Sequence, residues 1–129
     1  MPSTKIYARR SALGTHQKTL SDVIQSCVTD FLKFPAEIRL QRFFMMEDED
    51  FIFGEGRSEM YLVIELSMFE GRSVQTIKGM INAMYERITA ATPIPRSDID
   101  ITIHEVPRHC WGLQGEIGDE KKLAYDVSI

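Results

Sequence analysis

Pro2 follows Met1, and a small residue in second place normally allows the initiator methionine to be removed. The mature chain is then expected to begin with a secondary amine held in its own ring. Such an amine is a base or nucleophile, and burial lowers its pKa enough to make it a general base at neutral pH. A Met-Pro start is common and means little by itself; it gains weight beside a second stretch, Phe69-Glu70-Gly71-Arg72-Ser73. His104, His109 and Cys110 are also chemically active types. They lack the paired spacing of a metal site, and neighbours in sequence chelate poorly, so no metal is expected. No Gly-rich phosphate loop and no nucleophile elbow is present. Arg57-Ser58 reads as an anion contact or a turn cap, the turn being preferred.

The elements that must position these residues follow from hydrophobic spacing. Residues 3–8 alternate as a strand, with Thr4, Ile6 and Ala8 on one face and Lys5 and Tyr7 on the other. Gly14-Thr15 is expected to open a helix, with Thr15 as N-cap. Leu20, Val23, Ile24, Cys27, Val28, Phe31 and Leu32 recur at helical spacing, which places Cys27 in a core stripe. Pro35 is expected to end that helix, and residues 39–46 form a second strand. The acidic run 47–50 is a loop, and residues 51–53 are a short strand candidate. The pattern then repeats: a strand at 61–68, a turn at Gly71-Arg72-Ser73, a helix striped by Ile77, Met80, Ile81, Met84 and Ile88, and a strand around Ile99, Ile101 and Ile103. His104 falls on that strand's polar face, and a last strand is expected at 123–128.

The chain therefore reads as a single domain, 1–129, of two β-α-β units in tandem, residues 2–46 and 61–105, followed by a C-terminal hairpin over 107–128. The expected fold is α+β (α/β): a four-stranded mixed sheet with both helices on one face. Apolar residues on both sides of strand 61–68 predict that other subunits cover the free face.

At 129 residues, 43% hydrophobic and 26% charged, the chain has the balance of a globular protein that buries its own core. A net charge of −4 argues against nucleic acid as a partner. No apolar run reaches the length of a membrane span, and two distant cysteines suggest reduced thiols, so a cytoplasmic location is expected.

Glu70-Gly71-Arg72-Ser73, Lys78 in a helix, Ile101-Thr102-Ile103-His104-Glu105 and Trp111-Gly112-Leu113-Gln114-Gly115-Glu116 resemble the 4-oxalocrotonate tautomerase family almost segment by segment. The double-length chain is similar to the fused group that includes malonate semialdehyde decarboxylase and cis-3-chloroacrylic acid dehalogenase. A His-Cys-Trp-Gly turn, here His109 to Gly112, is found in tautomerase-like proteins of that kind. The resemblance implies that Pro2 is the catalytic base or acid and that Arg72 grips the carboxylate of a small 2-oxo acid. It also implies that Trp111 walls and dries the pocket, that no cofactor is needed, and that the chains assemble as a homotrimer.

The chain departs from these relatives in ways that bear on the reaction. Ile38 stands where the decarboxylase has a carboxylate, and Phe69 and Glu70 stand where a second arginine is found. Asp100 replaces the further arginine of the single-unit enzyme. Arg39 and Arg42 occupy roughly equivalent places in the first repeat; they either supply the lost charge or are surface charges of an edge strand. Three functions remain open: a tautomerase of enol and keto 2-oxo acids, a decarboxylase or hydratase with a cationic proline, and a non-catalytic trimeric binding protein.

Overall fold

The computed structural model describes residues 2–129; the expected removal of Met1 lies outside the described residues. Strand β1 (Ser3–Arg9) buries Thr4, Ile6 and Ala8 and leaves Lys5 exposed, the period-two alternation of a half-buried strand. The chain passes from β1 directly into helix α1 (Arg10–Leu13) and, after one 3₁₀ turn, into α2 (Gln17–Leu32). This corrects the helix start expected at Gly14-Thr15. No side chain caps α1 or α2; turning at Arg10 lets Leu13 reach the core, where it is fully buried. Helix α2 ends at Leu32, with Lys33 in the left-handed conformation at φ 53° and Pro35 lying just beyond.

Strand β2 (Gln41–Met46) runs parallel to β1, with Thr4 opposite Gln41 and Lys5 opposite Arg42. Strand β3 (Leu62–Phe69) is antiparallel to β1, with Ser3 opposite Ser67 and Ile6 opposite Ile64. Helix α3 (Val74–Ala91) crosses over to β4 (Ile99–Val106), which is parallel to β3. The sheet order is β2-β1-β3-β4. Leu62, Ile64, Leu66 and Met68 of β3 are fully buried, facing Leu20, Ile24 and Cys27 of α2 and Met80, Met84 and Ile88 of α3 in one core. Both helices thus lie on one face of a mixed sheet, as the spacing predicts.

The other face differs from expectation. On it β3 presents Val63, Glu65 and Ser67, all half-buried, so the free face is mixed in polarity rather than apolar. Tyr7 stacks on Phe44 there, ring centroids 4.9 Å apart, and Phe44 remains 41% exposed.

Residues 51–53 form no strand. A 3₁₀ turn (Asp48–Asp50) leads into Phe51, as a second one (Arg108–Cys110) leads into Trp111. The two turns close alike, Asp50 N–H to Glu47 O at 3.0 Å and Cys110 N–H to Pro107 O at 2.9 Å. The internal repeat therefore extends past both second strands.

The C-terminal hairpin is shorter than expected, β5 (Gly112–Leu113) with β6 (Glu116–Ile117), and residues 123–128 form no strand. That tail docks by side chains instead of by a ladder. Tyr125 sits edge-on to Phe34 at 5.1 Å, and Ile129 O accepts bonds from Ser73 Oγ and Thr76 Oγ1 at 3.2 and 2.7 Å. Gly71 permits the close seat: its φ is +129°, and a Cβ there would lie 2.8 Å from Val127 O. Gly71→Ala is expected to destabilise the fold by about 1–3 kcal/mol, measured as a fall in thermal midpoint.

Candidate active site

Strand register brings four chain segments to one end of the sheet. Because β2 is parallel to β1, Arg39 and Leu40 come up beside the start of β1, where Thr4 N–H donates to Leu40 O at 3.0 Å. Because β3 is antiparallel to β1, its last residues arrive at the same end, and Val106 of β4 pairs with Phe69. Here, on the helix-free face, lies an open cleft of about 580 Å³. Ser3, Lys5 and Ser67 line it from the central strands, Arg39 and Arg42 from one side, Cys110 and Trp111 from the other.

Three cations and no carboxylate are among its lining residues, on a chain that is acidic overall. Arg39 is partly committed, donating to Asp22 Oδ1 at 2.7 Å and Ser21 Oγ at 3.0 Å. Arg42 and Lys5 make no ion pair among the described residues. Trp111 is fixed by its indole N–H, which donates to Val106 O at 3.3 Å, and by an edge-on contact with Phe69 at 5.2 Å.

Pro2 is buried, at the head of β1 next to the cleft-lining Ser3, and is not itself a lining residue. Arg72 is not one either. Only 5% exposed, it lies behind Phe69, to whose carbonyl its Nη1 donates at 3.2 Å. Ser73 caps α3 by accepting from Thr76 N–H at 3.1 Å, which sets the turn that carries Arg72.

The tautomerase enzyme family matches residues 39–114, more than half of the chain. Over 51 residues the chain is 31% identical to the 2-hydroxymuconate tautomerase of Comamonas testosteroni, spanning 40% of this chain and 81% of that protein. The Pseudomonas putida 2-hydroxymuconate tautomerase matches to the same extent.

The chain belongs to the tautomerase family.

Among solved structures, native fused 4-OT is similar with a TM-score of 0.81 at 15% identity, covering 92% of this chain and 97% of that one. The FG41 malonate semialdehyde decarboxylase inhibited by 3-bromopropiolate is similar with a TM-score of 0.76 at 22% identity, covering 85% and 87%. Identities this low show a shared fold. The family match contains Arg39, Arg42, Arg72 and Trp111 and begins after Pro2. Membership makes this tautomerase an enzyme of isomerase type with tautomerase-like chemistry.

The electrostatics of this tautomerase single out Arg72. Burial pulls its guanidinium below the usual range, and the neighbouring Tyr125, Asp126 and Glu105 oppose that pull. Asp100 does not stand in for a carboxylate-binding arginine. The Tyr61 hydroxyl and then Arg57, whose Nη2 lies 3.1 Å from Asp100 Oδ2, hold its carboxyl below the usual range. Ser58 binds Asp98 through its N–H and its hydroxyl, so Arg57-Ser58 closes a turn, as preferred. Glu37 is exposed and does not line the cleft.

The opposite end of the sheet, related to the cleft by the internal repeat, is occupied by aromatic rings. Phe51, Phe53 and Tyr61 lie 5.3 to 6.0 Å apart, with the Arg9 guanidinium 4.5 Å from the Phe53 centroid. Tyr61, mid-chain, stands before β3 as Pro2 stands before β1, so that end has no terminal amine.

Sequence reasoning missed Lys5, Ser67 and Cys110 as cleft residues. The alternation of β1 does set Ser3 and Lys5 on one face. That this face holds a cleft depends on pairings with β2, β3 and the 107–113 loop, which no local signal encodes.

Proposed function

We propose that this chain is a tautomerase in which Pro2, freed of Met1, is the general base that interconverts enol and keto forms of small 2-oxo acids. What supports the reading best is the placement of Pro2 at the head of β1, beside a cleft with three cations, an aromatic wall and no carboxylate among its lining residues. In ketonisation the Pro2 nitrogen takes the enol O–H proton as the C=O forms and returns a proton to the adjacent carbon; nothing else is consumed. Arg72 is the residue assigned to the substrate carboxylate, since a guanidinium grips a carboxylate through two parallel hydrogen bonds; buried behind Phe69 and outside the cleft lining, it reaches the substrate only when the chain packed over it moves aside. Arg39, Arg42 and Lys5 attract the anion and favour negative charge developing on the oxygen. Trp111 excludes water, which keeps the amine neutral at working pH. No cofactor takes part.

A hydratase would need a carboxylate to activate water, and either a hydratase or a decarboxylase would need a cationic proline. The lack of Asp and Glu among the cleft-lining residues argues against hydration, and titration of the Pro2 nitrogen separates decarboxylase from tautomerase. We further propose a homotrimer whose contacts cover the free face around Phe44, as in the trimers known for fused 4-OT; a solution mass three times that of the chain supports it, and a monomer mass overturns it. A cytoplasmic location accords with two free thiols and with no described helix long and apolar enough to cross a membrane.

The direct assay is ketonisation of phenylenolpyruvate followed by absorbance. A rate well above buffer is expected. No excess rate, with Met1 confirmed absent by intact mass, would shift the function to the decarboxylase-like or non-catalytic alternative.

A further inference from the structure

Arg72 is 95% buried by the measure of its 5% exposure, and its Nη1 is committed to Phe69 O. Its Nε and Nη2 are buried with no protein partner among the described residues. Those two nitrogens form the side-on edge of the guanidinium, whose parallel N–H bonds match the two oxygens of a carboxylate. The Tyr125 hydroxyl is also buried without a partner among the described residues, and the guanidinium lies 5.8 Å from the centroid of the same tyrosine ring. Two buried polar groups, both unpaired among the described residues, are costly to the fold, the charged one most. Such a pair has physical sense as a site that a ligand completes.

We propose that Tyr125 is a substrate-binding residue, its phenol O–H donating to the same carboxylate that the Nε and Nη2 edge of Arg72 holds. The expected ligand is a small monocarboxylate with an oxygen on the adjacent carbon, and the tail closes over it. Tyr125 can do this because the tail is loosely tied. No ladder holds residues 122–129; their hydrogen bonds to the body run from the Ser73 and Thr76 side chains to Ile129 O. A segment held in that way opens at little free-energy cost. Arg108 reinforces the positive surroundings, its guanidinium 5.4 Å from the centroid of the Phe69 ring and its Nη2 bonded to Lys121 O at 2.8 Å. Burial raises the Tyr125 pKa, so the phenol stays a neutral donor through the physiological range.

Tyr125's role rests on Arg72 being the carboxylate holder, so the test separates the two. Binding of phenylpyruvate and of its methyl ester is measured by calorimetry for the wild type, Tyr125→Phe, Arg72→Lys and the double variant. Tyr125→Phe keeps the ring and its packing on Phe34, so folding is retained. Loss of a hydrogen bond to a charged group predicts acid binding weaker by about tenfold, with ester binding unchanged and the double variant's loss smaller than the product of the single losses. Equal weakening of acid and ester, or no weakening of either, overturns the role of Tyr125. So does a wild type that binds no phenylpyruvate. Ketonisation by the wild type and Pro2→Ala in parallel identifies which idea fails. A Pro2-dependent rate with unaffected acid binding in Tyr125→Phe removes Tyr125 alone; no Pro2-dependent rate removes the tautomerase reading itself.

Discussion

Pro2→Ala is expected to lower turnover of phenylenolpyruvate by about tenfold or more, the usual loss when a positioned general base is removed. Alanine retains an amine at the chain end, so the variant does not abolish basicity. What it removes is the ring that fixes the nitrogen and the secondary character that sets its pKa. The loss should therefore fall on kcat, with KM changed little, because the carboxylate contacts are elsewhere. Pro2 is buried at the start of β1, between β2 and β3, so a mobile alanine amine loses orientation that the strand supplies. Thermal unfolding of the variant should match the wild type, which separates chemistry from folding. Full turnover in Pro2→Ala would mean that Pro2 is not the base.

Arg72→Met is expected to move activity and stability in opposite directions. A buried guanidinium with two nitrogens unpaired among the described residues is a liability to the fold, and replacing such a group by an apolar side chain of similar size is often neutral or stabilising. The thermal midpoint of Arg72→Met should hold or rise. Loss of a bidentate carboxylate contact of roughly 2–3 kcal/mol predicts kcat/KM lower by about 30- to 150-fold, carried mainly by KM. A fall in both stability and activity would assign Arg72 to the structure of the turn alone. Arg72→Lys should rescue little, since an ammonium cannot offer two parallel donors.

Much of this architecture is legible in the sequence because its signals are local. The alternation of Leu62, Ile64, Leu66 and Met68, and the stripe from Leu20 to Leu32, each encode an element and its buried face without reference to distant residues. Gly71 and Ser73 mark the turn for local reasons too, a positive φ and a helix cap. The start of the first helix was hidden because Arg10 carries no capping chemistry and is recruited by the burial of Leu13. The tail reads as a strand because Tyr125 and Val127 alternate with Asp126 and Ser128, yet what holds them is Phe34 and the Gly71 turn, far away in sequence. The same limit applies to the site. Arg39 and Arg42 reach the cleft through register with β1, and the burial of Arg72 follows from where residues 125–129 settle.

The most direct test of Pro2 as a base is the titration of its own nitrogen by ¹⁵N NMR on mature protein, beside the pH dependence of kcat/KM. A base must be neutral to act, so kcat/KM should rise with pH through the Pro2 pKa and level off above it. The expected pKa is lowered by burial relative to an exposed chain-terminal secondary amine, and it equals the midpoint of the kinetic rise. A Pro2 pKa that is not lowered, with kcat/KM falling as the nitrogen loses its proton, would contradict the tautomerase base and point to an acid at the same position.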